Sequence, residues 1–134
     1  MICGIYLNYD NFDKIDYFNP TTDVWCFYNN LDLKLTSKDN FVKSILNLTP
    51  NFDDKFKYFF ILRSDVQCNY DILLNCYNNI FDKNDYDIIS FSDDVFDCSI
   101  FKKDCFINML NDLKNGKEIN LENKSILNVK YLSI

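Results

Sequence analysis

Apolar and polar positions along this chain fall into short blocks with two distinct periods. Ile2–Leu7, Asp23–Tyr28, Lys57–Leu62 and Tyr86–Phe91 are apolar almost without interruption and rich in aromatic and β-branched residues. Blocks of that length predict strands, and near-continuous ones predict strands buried on both faces. Ser125–Ile134 instead alternates, with Leu127, Val129 and Tyr131 facing one way, as a strand does. Phe96 to Phe101 reads as a short extra strand. Three other segments carry helical spacing. Lys38–Leu48 puts Phe41, Val42, Ile45, Leu46 and Leu48 on or near one face, with Thr36 or Ser37 able to cap it and Pro50 beyond its end. Tyr70–Phe81 is the best patterned: Tyr70, Leu73, Leu74, Tyr77, Ile80 and Phe81 form one stripe behind the N-cap candidate Asn69, and Asp71 suits the positive end of the dipole. Cys105–Lys114 follows Asp104 as a cap and is closed by Gly116.

Strands alternating with helices in this order predict an α/β fold: a single domain over residues 1–134, with a mixed β-sheet flanked by about three helices. No repeat or linker-like stretch interrupts it. The expected core includes Phe59, Ile61, Leu73, Leu74, Tyr77, Ile88, Phe91 and Leu110.

Two of the strands run straight into charge. Lys57–Leu62 continues as Arg63-Ser64-Asp65, and Tyr86–Phe91 continues as Ser92-Asp93-Asp94. Open α/β sheets place their ligands outside the carboxyl ends of their strands. Asp65, Asp93, Asp94 and Asp97 are therefore the candidate cluster, and Arg63 adds interest as the only arginine. Carboxylates at strand ends can hold Mg²⁺ or Mn²⁺, and a planar guanidinium suits a carboxylate or a phosphate.

Composition narrows the chemistry. There is no histidine, which removes Ser-His-Asp and Cys-His catalysis and histidine-ligated metals. With only two glycines, no phosphate-cradling glycine loop can be drawn. The absence of alanine, with Asn, Asp, Ile, Lys, Phe and Tyr dominating, reads as the coding bias of an AT-rich genome. A net charge of −6 and a pI near 4.5 argue against nucleic-acid binding, which needs clustered Lys and Arg. The lysines stand singly or in pairs such as Lys102-Lys103, which leaves room only for a small local basic patch.

The six cysteines lie among apolar residues and show no Cys-x-x-Cys spacing, as reduced, buried thiols would. The N-terminus has neither a basic region nor a small-residue cleavage site, and no apolar run approaches the ~20 residues of a membrane span. The expectation is a cytoplasmic protein that does not enter a membrane.

Ile5 to Asp10, Ile15 to Pro20 and Asp23 to Asn30 resemble, in order, the opening of a GT-A-type glycosyltransferase-like family of mostly uncharacterised, hexosyltransferase-like proteins. That family begins with a strand, a Tyr-Asp loop, an Asn-Pro turn and a strand reading Asp-Tyr-Ile-Cys-Phe-Thr-Asp-Asn. Leu48 to Asp53, the strand ending at Leu62, and Ile88 to Phe101 stand where later blocks of the family stand. The departures fall on its polar motifs. Its acidic strand end is here Arg63-Ser64-Asp65, its His and Arg are replaced around Asp93 to Phe96, and its Tyr and Glu by Phe101 and Lys103. The resemblance implies sugar transfer from a nucleotide sugar. Asp65 would hold a Mn²⁺ or Mg²⁺ ion, Asp93 or Asp94 would act as base or second metal ligand, and Arg63 would steady the diphosphate. Erosion of the motif implies a fold kept while its chemistry decays.

A second expectation comes from aromatic surplus. Tyr9, Phe12, Tyr17 and Phe18 fall between predicted elements, where contiguous apolar area marks either a partner surface or a loop folded over the sheet edge. On the first alternative the chain is a non-catalytic intracellular interaction protein that binds another protein through its Tyr9–Phe18 loop.

Overall fold

The computed structural model describes residues 2–8, 24–48, 55–66 and 86–129. Among these residues the framework is a mixed six-stranded sheet with two helices, the α/β class that the sequence predicts. The strands are β1 (Ile2–Leu7), β2 (Val24–Tyr28), β3 (Tyr58–Arg63), β4 (Ile88–Ser90), β5 (Cys98–Lys102) and β6 (Ile126–Asn128). The helices are α1 (Ser37–Asn47) and α2 (Lys103–Lys114).

Strand order is β2-β1-β3-β5-β4-β6. β1 pairs in parallel with β2 and β3, β4 pairs in parallel with β6, and β5 runs antiparallel to both β3 and β4. All six residues of β1 are buried, as are the last five of β3, which is why both blocks are continuously apolar. One face carries Cys3, Ile5, Leu7, Phe59, Ile61, Ile88 and Phe101, and both described helices lie on it through Phe41, Ile45, Phe106, Met109 and Leu110. Ile2, Tyr6, Phe60, Leu62, Ile89, Phe91 and Ile100 form a separate buried cluster on the other face.

Aromatic rings fill the space between helices and sheet. Phe59 stacks on Phe106 with centroids 4.5 Å apart, and Phe41 meets Phe96 at 5.0 Å and Phe101 at 5.7 Å. Eight of the thirteen phenylalanines are buried in the described residues, so much of the aromatic surplus is core.

Local chemistry sets the helix ends. Thr36 Oγ1 accepts from the Asp39 amide at 3.1 Å and starts α1. α2 begins earlier than expected: its N-cap is Lys102 rather than Asp104, because β5 runs directly into the helix and leaves no loop for a capping side chain. Gly116 ends that region at φ 76°, a backbone conformation that favours glycine. The expected strand at Tyr86–Phe91 shortens to the three-residue β4, and the described part of the expected Ser125–Ile134 strand carries β6, paired from Ile88↔Ile126 to Ser90↔Asn128. The expected extra strand at Phe96–Phe101 is β5, one position from its predicted end. Phe59, Ile61, Ile88, Phe91 and Leu110 are buried as expected. The predicted helix Tyr70–Phe81 with Leu73, Leu74 and Tyr77, the Tyr9–Phe18 segment and the last residues of the predicted final strand lie outside the described residues.

Truncating the stacked pair is the sharpest test of this core. Phe59→Ala should cost about 3–5 kcal/mol in urea unfolding. Leu33→Ala, at a residue 55% exposed, should stay within about 0.5 kcal/mol. Equal losses at the two positions would contradict the packing described.

Candidate functional site at the carboxyl ends of the parallel strands

β1 has β2 on one side and β3 on the other, both parallel to it, so the chain changes direction across the sheet between β1 and β3. The crevice beyond the carboxyl ends of such a strand pair is where open sheets admit ligands. The register Leu7↔Arg63 brings Asn8, Arg63 and Ser64 to that place. The Ser64 amide donates to the Leu7 carbonyl at 2.8 Å, and the Asn8 amide donates to the Tyr28 carbonyl at 2.7 Å.

Arg63 organises this end of the sheet. Its Nε donates to Asp65 Oδ1 at 3.0 Å and its Nη2 to Asp65 Oδ2 at 2.9 Å, a bidentate pair. Its Nη1 donates to Ser37 Oγ at 3.0 Å and to Asp97 Oδ1 at 3.1 Å. The Arg63 side chain is 9% exposed, against 24% for Asp65 and 19% for Asp97. Burial opposes the charge on Arg63, but Asp65 and Asp97 outweigh it and raise its pKa further. For Asp97 the balance tips the other way. Burial, helped by the nearby Asp94 charge, raises its pKa although Ser37 and Arg63 both favour the carboxylate.

Of the acids singled out in the sequence, Asp65 and Asp97 thus meet on one guanidinium. Asp94 is used differently. Its Oδ1 accepts from the Phe96 amide at 2.9 Å, and its carbonyl accepts from Ser92 Oγ at 2.7 Å and from the Asp97 amide at 3.1 Å. It shapes the turn that delivers Asp97. Asp93 is exposed beside it and makes no contact with Arg63 among the salt bridges of the described residues. Ser37 was invisible as a site residue in the sequence, where its only signal was that of a helix cap. Ser64 Oγ is buried and has no hydrogen-bond partner among the described residues.

Both carboxylate oxygens of Asp65 are taken up by Arg63, and no group of three or more Cys, Asp or Glu among the described residues is placed to hold a metal ion. Among the described residues, the Arg63–Asp65 pair therefore stands without an assembled set of ligands for a divalent cation.

The four described cysteines, Cys3, Cys26, Cys98 and Cys105, are free thiols. Cys3 on β1 and Cys26 on β2 lie on adjacent strands, two register positions apart, since Cys3 pairs with Val24 and Cys26 with Ile5. The Cys3 thiol donates to Cys26, which lowers the Cys26 pKa to about 7 and raises that of Cys3. Burial pushes Cys105 up to about 11. The sequence hid this pair, because nothing in it shows that residues 3 and 26 come to neighbouring strands, two register positions apart.

Compared with known proteins, the chain matches no family model, no curated protein and no solved structure. Among the described residues no helix is long and apolar enough to cross a membrane.

Two outcomes test this geometry. Asp97 binds its proton more tightly folded than unfolded, so folding takes up a proton between the two pKa values. Its contribution to stability is therefore greatest below the ordinary carboxylate range and falls as pH rises through the raised, folded-state value. Asp97→Asn, which keeps an oxygen for Arg63, should remove that fall and match or exceed wild-type stability at pH 7 in denaturant titrations. Arg63→Ala should lose roughly 1–3 kcal/mol, less than a fully buried pair because both carboxylates are part-exposed. Separately, iodoacetamide at pH 7 should label Cys26 ahead of Cys3, Cys98 and Cys105. Cys3→Val, which removes the donor, should slow labelling of Cys26 about tenfold by mass spectrometry.

Proposed function

We propose that this chain is a glycosyltransferase-like domain that binds a nucleotide sugar beyond the carboxyl ends of β1 and β3, with degenerate transfer chemistry. The observation that carries the reading is the position of Arg63. The only arginine of the chain lies buried at the point where the strand order turns, held by acids on both sides. The mixed sheet, parallel around β1, supports it, as does the sequence resemblance to the GT-A-type family. Ser64 Oγ adds a buried polar atom there that has no partner among the described residues, and leaving such an atom unpaired costs about 1–3 kcal/mol.

Electrostatics favours the degenerate form of this reading. Asp65, Asp93, Asp94 and Asp97 outnumber the one guanidinium at this end of the sheet, so a diphosphate meets net negative charge. In the undecayed chemistry of the family resemblance, Asp65 would hold Mn²⁺ or Mg²⁺ to offset that charge, and Asp93 or Asp94 would serve as base. Here Asp65 is committed to Arg63. That commitment favours a second reading, a non-catalytic protein that binds a protein partner through Tyr9, Phe12, Tyr17 and Phe18.

Differential scanning fluorimetry with UDP- and GDP-sugars, with and without Mn²⁺, separates the two. Under the first reading at least one nucleotide sugar raises the melting temperature, by an amount corresponding to about 2.7 kcal/mol at a hundred times its Kd. Asp65→Ala, which frees Arg63, changes that shift. Silence from every donor, with Asp65→Ala indifferent, counts against it. The second reading then requires a stoichiometric partner in pull-downs that is lost in the Tyr17→Asp, Phe18→Asp double variant.

A further inference from the structure

β2 is the outermost strand on its side of the sheet, paired with β1 along one edge. The ladder fixes which of its backbone groups face the other way. The Asn8 amide donates to the Tyr28 carbonyl, so Tyr28 turns its backbone toward β1. These groups alternate sides from one residue to the next. Val24 and Cys26 therefore also face β1, while Trp25 and Phe27 present N–H and C=O outward. Among the described residues no strand pairs with that outer edge. We propose that this edge is the contact surface for a second copy of the chain, the two β2 strands pairing antiparallel about a two-fold axis at Cys26.

The strand carries none of the devices that keep sheet edges apart. Val-Trp-Cys-Phe-Tyr has no charge and no proline, and its pairing with β1 runs residue for residue from Cys3↔Val24 to Leu7↔Tyr28 without a bulge. Val24 and Phe27 are 39% and 50% exposed. The pattern of outward groups selects a second copy as the occupant. With the axis at Cys26, Trp25 lies opposite Phe27 of the other copy and Phe27 opposite its Trp25, and each pair exchanges both N–H···O bonds. That register uses every outward group of β2 and is self-complementary, as a two-fold contact must be. Charge permits it too. Val24 to Asn30 contains no charged residue, so no like charges are set opposite one another, even in a chain of net charge −6. Cys26 then stands opposite itself in a non-hydrogen-bonded pair, with Cα atoms about 4.5 Å apart, inside the span of a disulfide. The Cys26 thiol, partly exposed and with its pKa lowered to about 7, can report that register.

Sedimentation velocity in reducing buffer, from micromolar to submillimolar chain, should show a monomer–dimer equilibrium. Phe27→Pro removes an outward N–H and leaves the ladder to β1 its donors, and should weaken association about tenfold or more. Phe27→Lys keeps the N–H but places a charge on the edge, and should weaken it as well. Circular dichroism checks that both variants keep the fold. Diamide then reads the register: two Cys26 thiols join as a disulfide, and their hydrogens and electrons reduce diamide to its hydrazine. Peptide mapping should find Cys26 linked to Cys26, and Cys26→Ser should abolish the covalent dimer while the non-covalent one remains. Wild type that stays monomeric across the whole range would overturn the proposal, whether the edge then takes a different chain or none. So would folded Phe27 variants that both keep wild-type association, or a dimer that diamide links only through other cysteines.

Discussion

Everything else in this fold depends on β1 being enclosed. A strand paired on both edges and buried on both faces cannot accept a charged side chain anywhere along its length, and Ile2–Leu7 contains none. Its smallest member is Gly4, opposite Phe60 in the register with β3. Once β1 is enclosed, the partner strands follow its register, and the carboxyl ends of β1 and β3 come level at Leu7 and Arg63.

That register forces an arginine into a place with little water. A buried guanidinium is tolerable only with its donors met, and the structure meets them from three directions: Asp65 from the adjoining turn, Ser37 from the start of α1, and Asp97 from the turn before β5. The result ties β3, α1 and the β4–β5 turn to one side chain. Asp97 bears the cost, since its pKa rises even beside a guanidinium. A cluster held this tightly gives this end of the sheet a fixed shape. It also pairs with arginine the very acid that the sequence resemblance would assign to a metal.

The two ends of the sheet therefore differ in electrical character. Among the described residues, the Arg63 end gathers Asp65 and Asp97 on one guanidinium, while Lys57, Lys102, Lys103 and Asp104 lie together at the far end. Neither grouping is visible as a run in the sequence. The lysines are separated by 45 positions or adjacent to one another, and only the antiparallel pairing of β3 with β5 sets them side by side.

Much of the local structure was legible in the residues themselves. β1 has the bounds its apolar run predicts, α1 starts at the Thr36 cap, and Gly116 closes the region after α2. These features depend on side chains a few positions apart, whose sterics and hydrogen bonds act within one chain segment. Strand lengths were less legible, because β4 and β6 end where their partners end rather than where their own apolar residues do. The candidate acids were legible as residues but not as an arrangement. Asp93, Asp94 and Asp97 look equivalent in the sequence, yet only Asp97 reaches Arg63, because the Asp94 carboxylate is used in turning the chain. The Arg63–Asp97 and Cys3–Cys26 pairs span 34 and 23 positions, and such contacts exist only once strand order and register have been chosen by the burial of the whole sheet.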